Sequence, residues 1–183
     1  MNSGSLLRNL STPLPSRIID FSLYSNLFVA SVTTACSYYY QSKAGLFIPE
    51  YLLFLFCSTL FIYNLEHNRL KEQDFINKPH RCDWLIANKR LITSLSLVSF
   101  IVYSTLFIKG ANITRSFATL VMLVLSLVYC SDWFLKRLAI FKNILLAFIW
   151  SSACVLMPLF WHDSTLPASV YPAFAIFFLV SFI

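Results

Sequence analysis

Residues 91–108 read LITSLSLVSFIVYSTLFI, running from Leu91 to Ile108 without one charged side chain. A bilayer core about 30 Å thick is crossed by about 20 apolar residues of helix. The Leu, Ile, Val and Phe positions here are continuous rather than confined to one stripe, which marks a helix with no face turned to water. The stretch has company. Similar runs cover 18–40, 46–64, 116–131, 144–161 and 168–183. Over all 183 residues the apolar share is 58%, the aromatic share 17% and the charged share 12%, whereas an ordinary soluble domain carries about 25% charged residues. A water-soluble fold of this length would have too much apolar surface to hide. Disorder is excluded for the opposite reason, since it needs low hydrophobicity and high charge. The expected fold is all-α: a polytopic transmembrane helical bundle of about six spans. Residues 1–17 form an N-terminal segment, and 18–183 form one membrane domain.

The charges orient that bundle. With six spans, the N-terminal segment and the 65–90 and 132–143 loops share one side. They hold Arg8, Arg17, Arg69, Lys71, Lys78, Arg81, Lys89, Arg90, Lys136, Arg137 and Lys142, whereas the other side holds only Lys43, Lys109 and Arg115. Lys and Arg concentrate on the cytoplasmic side of membrane proteins, so the N-terminus is expected in the cytoplasm of a cell (cytoplasmic or inner) membrane. This distribution also accounts for the net charge of +6 without a nucleic-acid partner. Tyr38, Tyr39, Tyr40, Trp133 and Trp161 stand at span ends, where interfacial aromatics belong. Five cysteines, at 36, 57, 82, 130 and 154, form no metal-ligand spacing and no disulfide framework. Asn26 lies inside the first run, where an amide is expected to hydrogen-bond a neighbouring helix. Pro158 is expected to kink or end the fifth run. The last run stops on Phe182-Ile183 with no polar anchor, which reads as a chain cut before further spans.

Chemistry concentrates on the cytoplasmic side. After the second run comes Asn64-Leu65-Glu66-His67-Asn68-Arg69-Leu70-Lys71-Glu72. Asn64, Asn68 and Glu72 fall at i, i+4 and i+8, on one face if the helix continues. After the fourth run come Tyr129 and then Lys136-Arg137. These elements resemble those of the UbiA-type intramembrane prenyltransferases, a family of nine-helix membrane proteins. Its first Asp-rich motif, Asn-Asp-x-x-Asp-x-x-x-Asp, follows the second helix, and a Tyr…Leu-Lys-Arg element follows the fourth. Asn64 matches the leading Asn; Asn68 and Glu72 stand at Asp positions, and Leu65 replaces the first Asp. The resemblance covers roughly residues 18–183, about the first two-thirds of a family member.

The resemblance implies a truncated UbiA-like fold. It also implies transfer of a prenyl group from an isoprenoid diphosphate to a lipophilic, cyclic or aromatic acceptor. Asn64, Asn68, Arg69, Tyr129, Lys136 and Arg137 would hold the diphosphate, with Asn68 and Glu72 on a magnesium ion. Magnesium takes hard oxygen ligands from carboxylates and phosphates and, with Lys and Arg, stabilises the departing diphosphate. The family's second acidic motif would fall beyond Ile183, and catalysis depends on it. The residues themselves leave two readings open. Asn64, Asn68 and Glu72 serve equally as the solvated end of a helix, and Lys136 and Arg137 as topology anchors. On that alternative, the chain is a non-catalytic membrane protein that binds lipid or a partner protein through its basic loops.

Overall fold

The computed structural model describes residues 14–67, 72–110, 112–130, 139–162 and 170–182, and every element among them is helical. In chain order these are α1 (Leu14–Tyr24), α2 (Leu27–Lys43), α3 (Pro49–His67), α4 (Glu72–Asn77), α5 (Pro79–Ala87), α6 (Lys89–Lys109) and α7 (Ile113–Cys130). Then follow α8 (Ala139–Ser151), a π-helical turn (Ser152–Leu156), α9 (Met157–Trp161) and α10 (Val170–Phe182). Each of the six apolar runs forms helix over most of its described residues. Among the described residues two helices, Lys89–Lys109 and Ile140–Trp161, are long and apolar enough to cross a bilayer, or three if α1 and α2 count as one bent span. The α3, α7 and α10 helices are apolar but shorter. Leu97, Val98, Ile101 and Ile108 of α6 stand exposed, as do Ile176 and Val180 of α10. Apolar belts of that extent are stable against lipid chains, not water.

The first run differs from its expected form. It is not one straight span: the chain turns by 70° between α1 and α2. Asn26 sits at the turn with φ 62°, the only non-glycine residue of positive φ among those described. Asn tolerates this left-handed conformation because its short polar side chain bonds locally. Here the side chain also reaches across the bundle, and Asn26 Nδ2 donates to Asn64 Oδ1 at 2.7 Å. The expected interhelical bond is present, and the same residue breaks its own helix. The α1 helix then lies against α5. The Trp84 ring packs on Tyr24 at 5.5 Å and on Phe21 at 6.3 Å, and the Tyr24 hydroxyl meets His80 Nδ1 at 3.4 Å.

Pro158 neither ends nor simply kinks its helix. The α8 helix widens to a π turn over Ser152–Leu156 and continues through Pro158 to Trp161. In that turn the Met157 N–H bonds to Ser152 O, and proline has no N–H to give. The carbonyls of Ala153 and Cys154 therefore lose their helical donors. Side chains of other helices take them up: the Tyr51 hydroxyl donates to Ala153 O, and Ser37 Oγ donates to Cys154 O at 3.4 Å. Inside a bilayer, backbone polar groups must find partners within the protein. The π turn thus docks α8–α9 onto α2 and α3 at once.

The bundle is centred on α3, which packs on α2 and, most extensively, on α6. Phe54 meets Tyr103 at 5.9 Å, and Phe61 meets Phe100 at 5.1 Å, so α3 and α6 run antiparallel. Close approach elsewhere uses small residues: Ala30, Ser37, Ala147 and Ser151 are fully enclosed. Small side chains at helix contacts are how membrane bundles gain packing without a hydrophobic drive between helices. Cys36, Cys57, Cys82 and Cys154 are free thiols.

Candidate functional site

Helix α3 packs on α2 and α6, whereas α7 packs on α8 and α9. Between α3 and α7 lies a cavity of about 120 Å³. Its α7 wall is Thr119, Met122, Leu123, Ser126 and Tyr129, the i, i+3, i+4, i+7 face of one helix. The α3 wall carries Tyr51, Phe54, Ser58, Thr59, Phe61 and Tyr63; α6 adds Tyr103, α8 adds Trp150, and the π turn adds Ala153. Aromatic side chains and hydroxyls alternate round an otherwise apolar space.

The hydroxyls are mostly committed to the protein. Ser58 Oγ donates to Leu55 O at 3.1 Å, and Ser126 Oγ to Met122 O at 2.8 Å. The Trp150 indole donates to the Tyr63 hydroxyl at 3.1 Å. The Thr119 hydroxyl is enclosed and has no hydrogen-bond partner among the described residues. At one end, the Lys142 ammonium lies 4.8 Å over the Tyr129 ring. That end carries a positive charge beside an aromatic wall, next to a space for an apolar group.

Of the residues singled out from the sequence, Tyr129 lines the cavity. Asn64 lies near the same end of α3 but is fully enclosed and bonded to Asn26. It is no part of a solvated helix end, and that reading is corrected. Its Nδ2 has no partner among the described residues. Asn68, Arg69, Lys136 and Arg137 lie outside the described residues. Glu72 opens α4, but its side chain is also outside them, and so is the continuous face predicted over Asn64, Asn68 and Glu72. Among the described residues no three His, Cys, Asp or Glu side chains come together as a metal site. The expected magnesium ligands, Asn68 and the Glu72 carboxylate, lie outside the described residues. Trp161, placed by sequence at an interface, instead buries its ring against Phe54 at 4.8 Å and Tyr51 at 5.3 Å. Tyr38 and Tyr39 are exposed as expected, whereas Tyr40 is buried.

Most of the cavity wall was absent from the sequence reading. The signal for part of it was present: Thr119, Ser126 and Tyr129 put hydroxyls on one face of an otherwise apolar helix. Comparison of the chain with protein-family models, curated proteins and solved structures finds no match.

Proposed function

We propose that this chain is a membrane protein of about six spans on a UbiA-like helical scaffold, which binds an isoprenoid diphosphate by its apolar end. The observation that carries the reading is the cavity between α3 and α7, with Tyr129 in its wall and Lys142 beside Tyr129. Its size limits what enters. A cavity of about 150 Å³ accommodates one benzene ring, so about 120 Å³ accommodates one five-carbon unit or one small ring. The remainder of an isoprenoid chain would lie along the lipid-facing helices. The diphosphate would meet Lys142, in the first turn of α8, with the basic residues 136 and 137 just before that helix in sequence. In this reading the α1–α2 pair, α3, α6, α7, α8–α9 and α10 are the six spans, with the basic loops in the cytoplasm.

Geranyl diphosphate titrated into the full chain in maltoside micelles tests this. Saturable binding is expected. Lys142→Gln, which removes the charge, should weaken it about tenfold, the size of one lost charge-assisted bond, and Ser126→Phe, which fills the cavity, should weaken it as well. Geraniol, lacking the diphosphate, should feel Ser126→Phe and not Lys142→Gln. Binding that ignores Ser126→Phe would sink the assignment of the cavity.

A second reading, prenyl transfer itself, is favoured by the aromatic walls. The faces of Tyr, Phe and Trp attract a nearby cation, and an allylic diphosphate becomes a carbocation as its carbon–oxygen bond breaks. Release of diphosphate by the full chain, given magnesium and a phenolic acceptor, is the measurement; none released would leave binding alone.

A further inference from the structure

At the end of the bundle opposite Asn64, α6 finishes at Lys109 and the chain turns through Gly110 into α7. Asn112 Oδ1 accepts from the Arg115 N–H at 2.7 Å and caps α7. The Arg115 side chain crosses to α9, where Nη2 donates to Trp161 O at 2.7 Å. Its guanidinium lies 4.7 Å over the Trp161 ring. Gly110 makes this possible, because a Cβ there would collide with the guanidinium. A cation at the carboxyl end of a helix is favourably placed, but three features exceed what that role needs. Arg115 has no ion-pair partner among the described residues. Its Nε–H is enclosed and unbonded among the described residues, and so is the Trp161 Nε1–H beside it. Trp161 itself is only 5% exposed.

Enclosed donors without acceptors are costly. Two orphaned donors beside a guanidinium that has no counter-ion among the described residues are complementary to an oxyanion. Guanidinium matches phosphate in charge and hydrogen-bond geometry better than an ammonium does. This end of the bundle adjoins helices that present apolar residues to lipid, such as Ile108. We propose that Arg115 and Trp161 form a phosphate site at this end of the bundle, separated from the cavity by the Tyr51–Phe54–Trp161 aromatic layer. The same chemistry is carried by a phospholipid headgroup and by free phosphate. The site does not depend on the isoprenoid reading, and its ligand is a different molecule or a different end of the membrane.

The full chain, purified in phosphate-free maltoside, is titrated calorimetrically in three arms: phosphatidylglycerol, diacylglycerol of the same acyl chains, and inorganic phosphate. Phosphatidylglycerol saturating where diacylglycerol does not identifies a lipid phosphate; saturation by inorganic phosphate alone identifies the free ion. In either case Arg115→Gln should weaken phosphate binding tenfold or more, the scale of a charge-assisted hydrogen bond. Trp161→Phe keeps a ring and deletes the N–H, and should weaken it severalfold. Gly110→Ala displaces the guanidinium without removing its charge, and should weaken it too. Lys43→Gln, at an exposed cation, should leave it unchanged. Helicity and thermal midpoint, measured on each variant, separate lost binding from lost fold. Wild-type phosphate affinity in folded Arg115→Gln and Trp161→Phe, or no saturable phosphate binding in any arm, overturns the proposal.

Discussion

Asn26→Leu is expected to destabilise the protein by about 2–4 kcal/mol, measured by detergent-driven unfolding in mixed micelles. Two costs combine. The first is the Asn26–Asn64 bond at 2.7 Å. Without it the fully enclosed Asn64 amide loses its acceptor-side partner while its Nδ2 is already unbonded. An unsatisfied buried polar group costs about 1–3 kcal/mol. The second is conformational, since Leu at φ 62° meets the left-handed penalty of about 1–2 kcal/mol. Asn26→Gly separates them, because glycine adopts positive φ freely but supplies no amide. It should lose only the hydrogen-bond part. If Leu and Gly variants unfold together at the wild-type detergent fraction, Asn26 does not hold the bend.

Tyr51→Phe is expected to cost about 1–2 kcal/mol in the same assay. The value sits between the cost of an orphaned carbonyl and the smaller couplings measured between membrane helices. Only one oxygen is removed, and the Phe54 and Trp161 contacts of the ring are kept. The loss falls on the Ala153 carbonyl, which the π turn and Pro158 leave without a backbone donor. Pro158→Ala restores an N–H at that level. In the Tyr51→Phe background it should return part of the stability, whereas alone it should do little. Additive effects of the two substitutions would mean that the tyrosine hydroxyl is not serving the broken ladder.

The helices were legible because apolar runs bounded by Lys, Arg and Pro leave few alternatives in a membrane. Their lengths were less so. Residues 18–40 contain no proline or glycine, and an Asn in such a run signals a hydrogen bond without saying that it also bends the chain. That outcome depends on Asn64, 38 positions away in sequence. The π turn was illegible for a similar reason. Pro158 announces a disturbance, but whether the helix stops or widens depends on Tyr51 and Ser37 standing ready to take the freed carbonyls. Trp161 at a span end reads as an interfacial anchor until Arg115, from another helix, is known to cover it. Tyr129 was singled out and lines the cavity. The other walls come from five further helices and the π turn, and only packing brings them together.

The unequal helix lengths have a consequence for the surrounding lipid. At 1.5 Å per residue, the 21 residues of α6 extend about 31 Å, whereas the 17 residues of α2, between the Asn26 bend and the turn at Ala44, extend about 26 Å. A bilayer of uniform thickness matches one flank and not the other. Hydrophobic mismatch is relieved by tilt or by stretching and compressing the lipid, at fractions of a kcal/mol per ångström. Lipid beside α2 is therefore expected to be compressed relative to lipid beside α6. The chain would carry its own thickness gradient, and shorter acyl chains should gather on its α2 side.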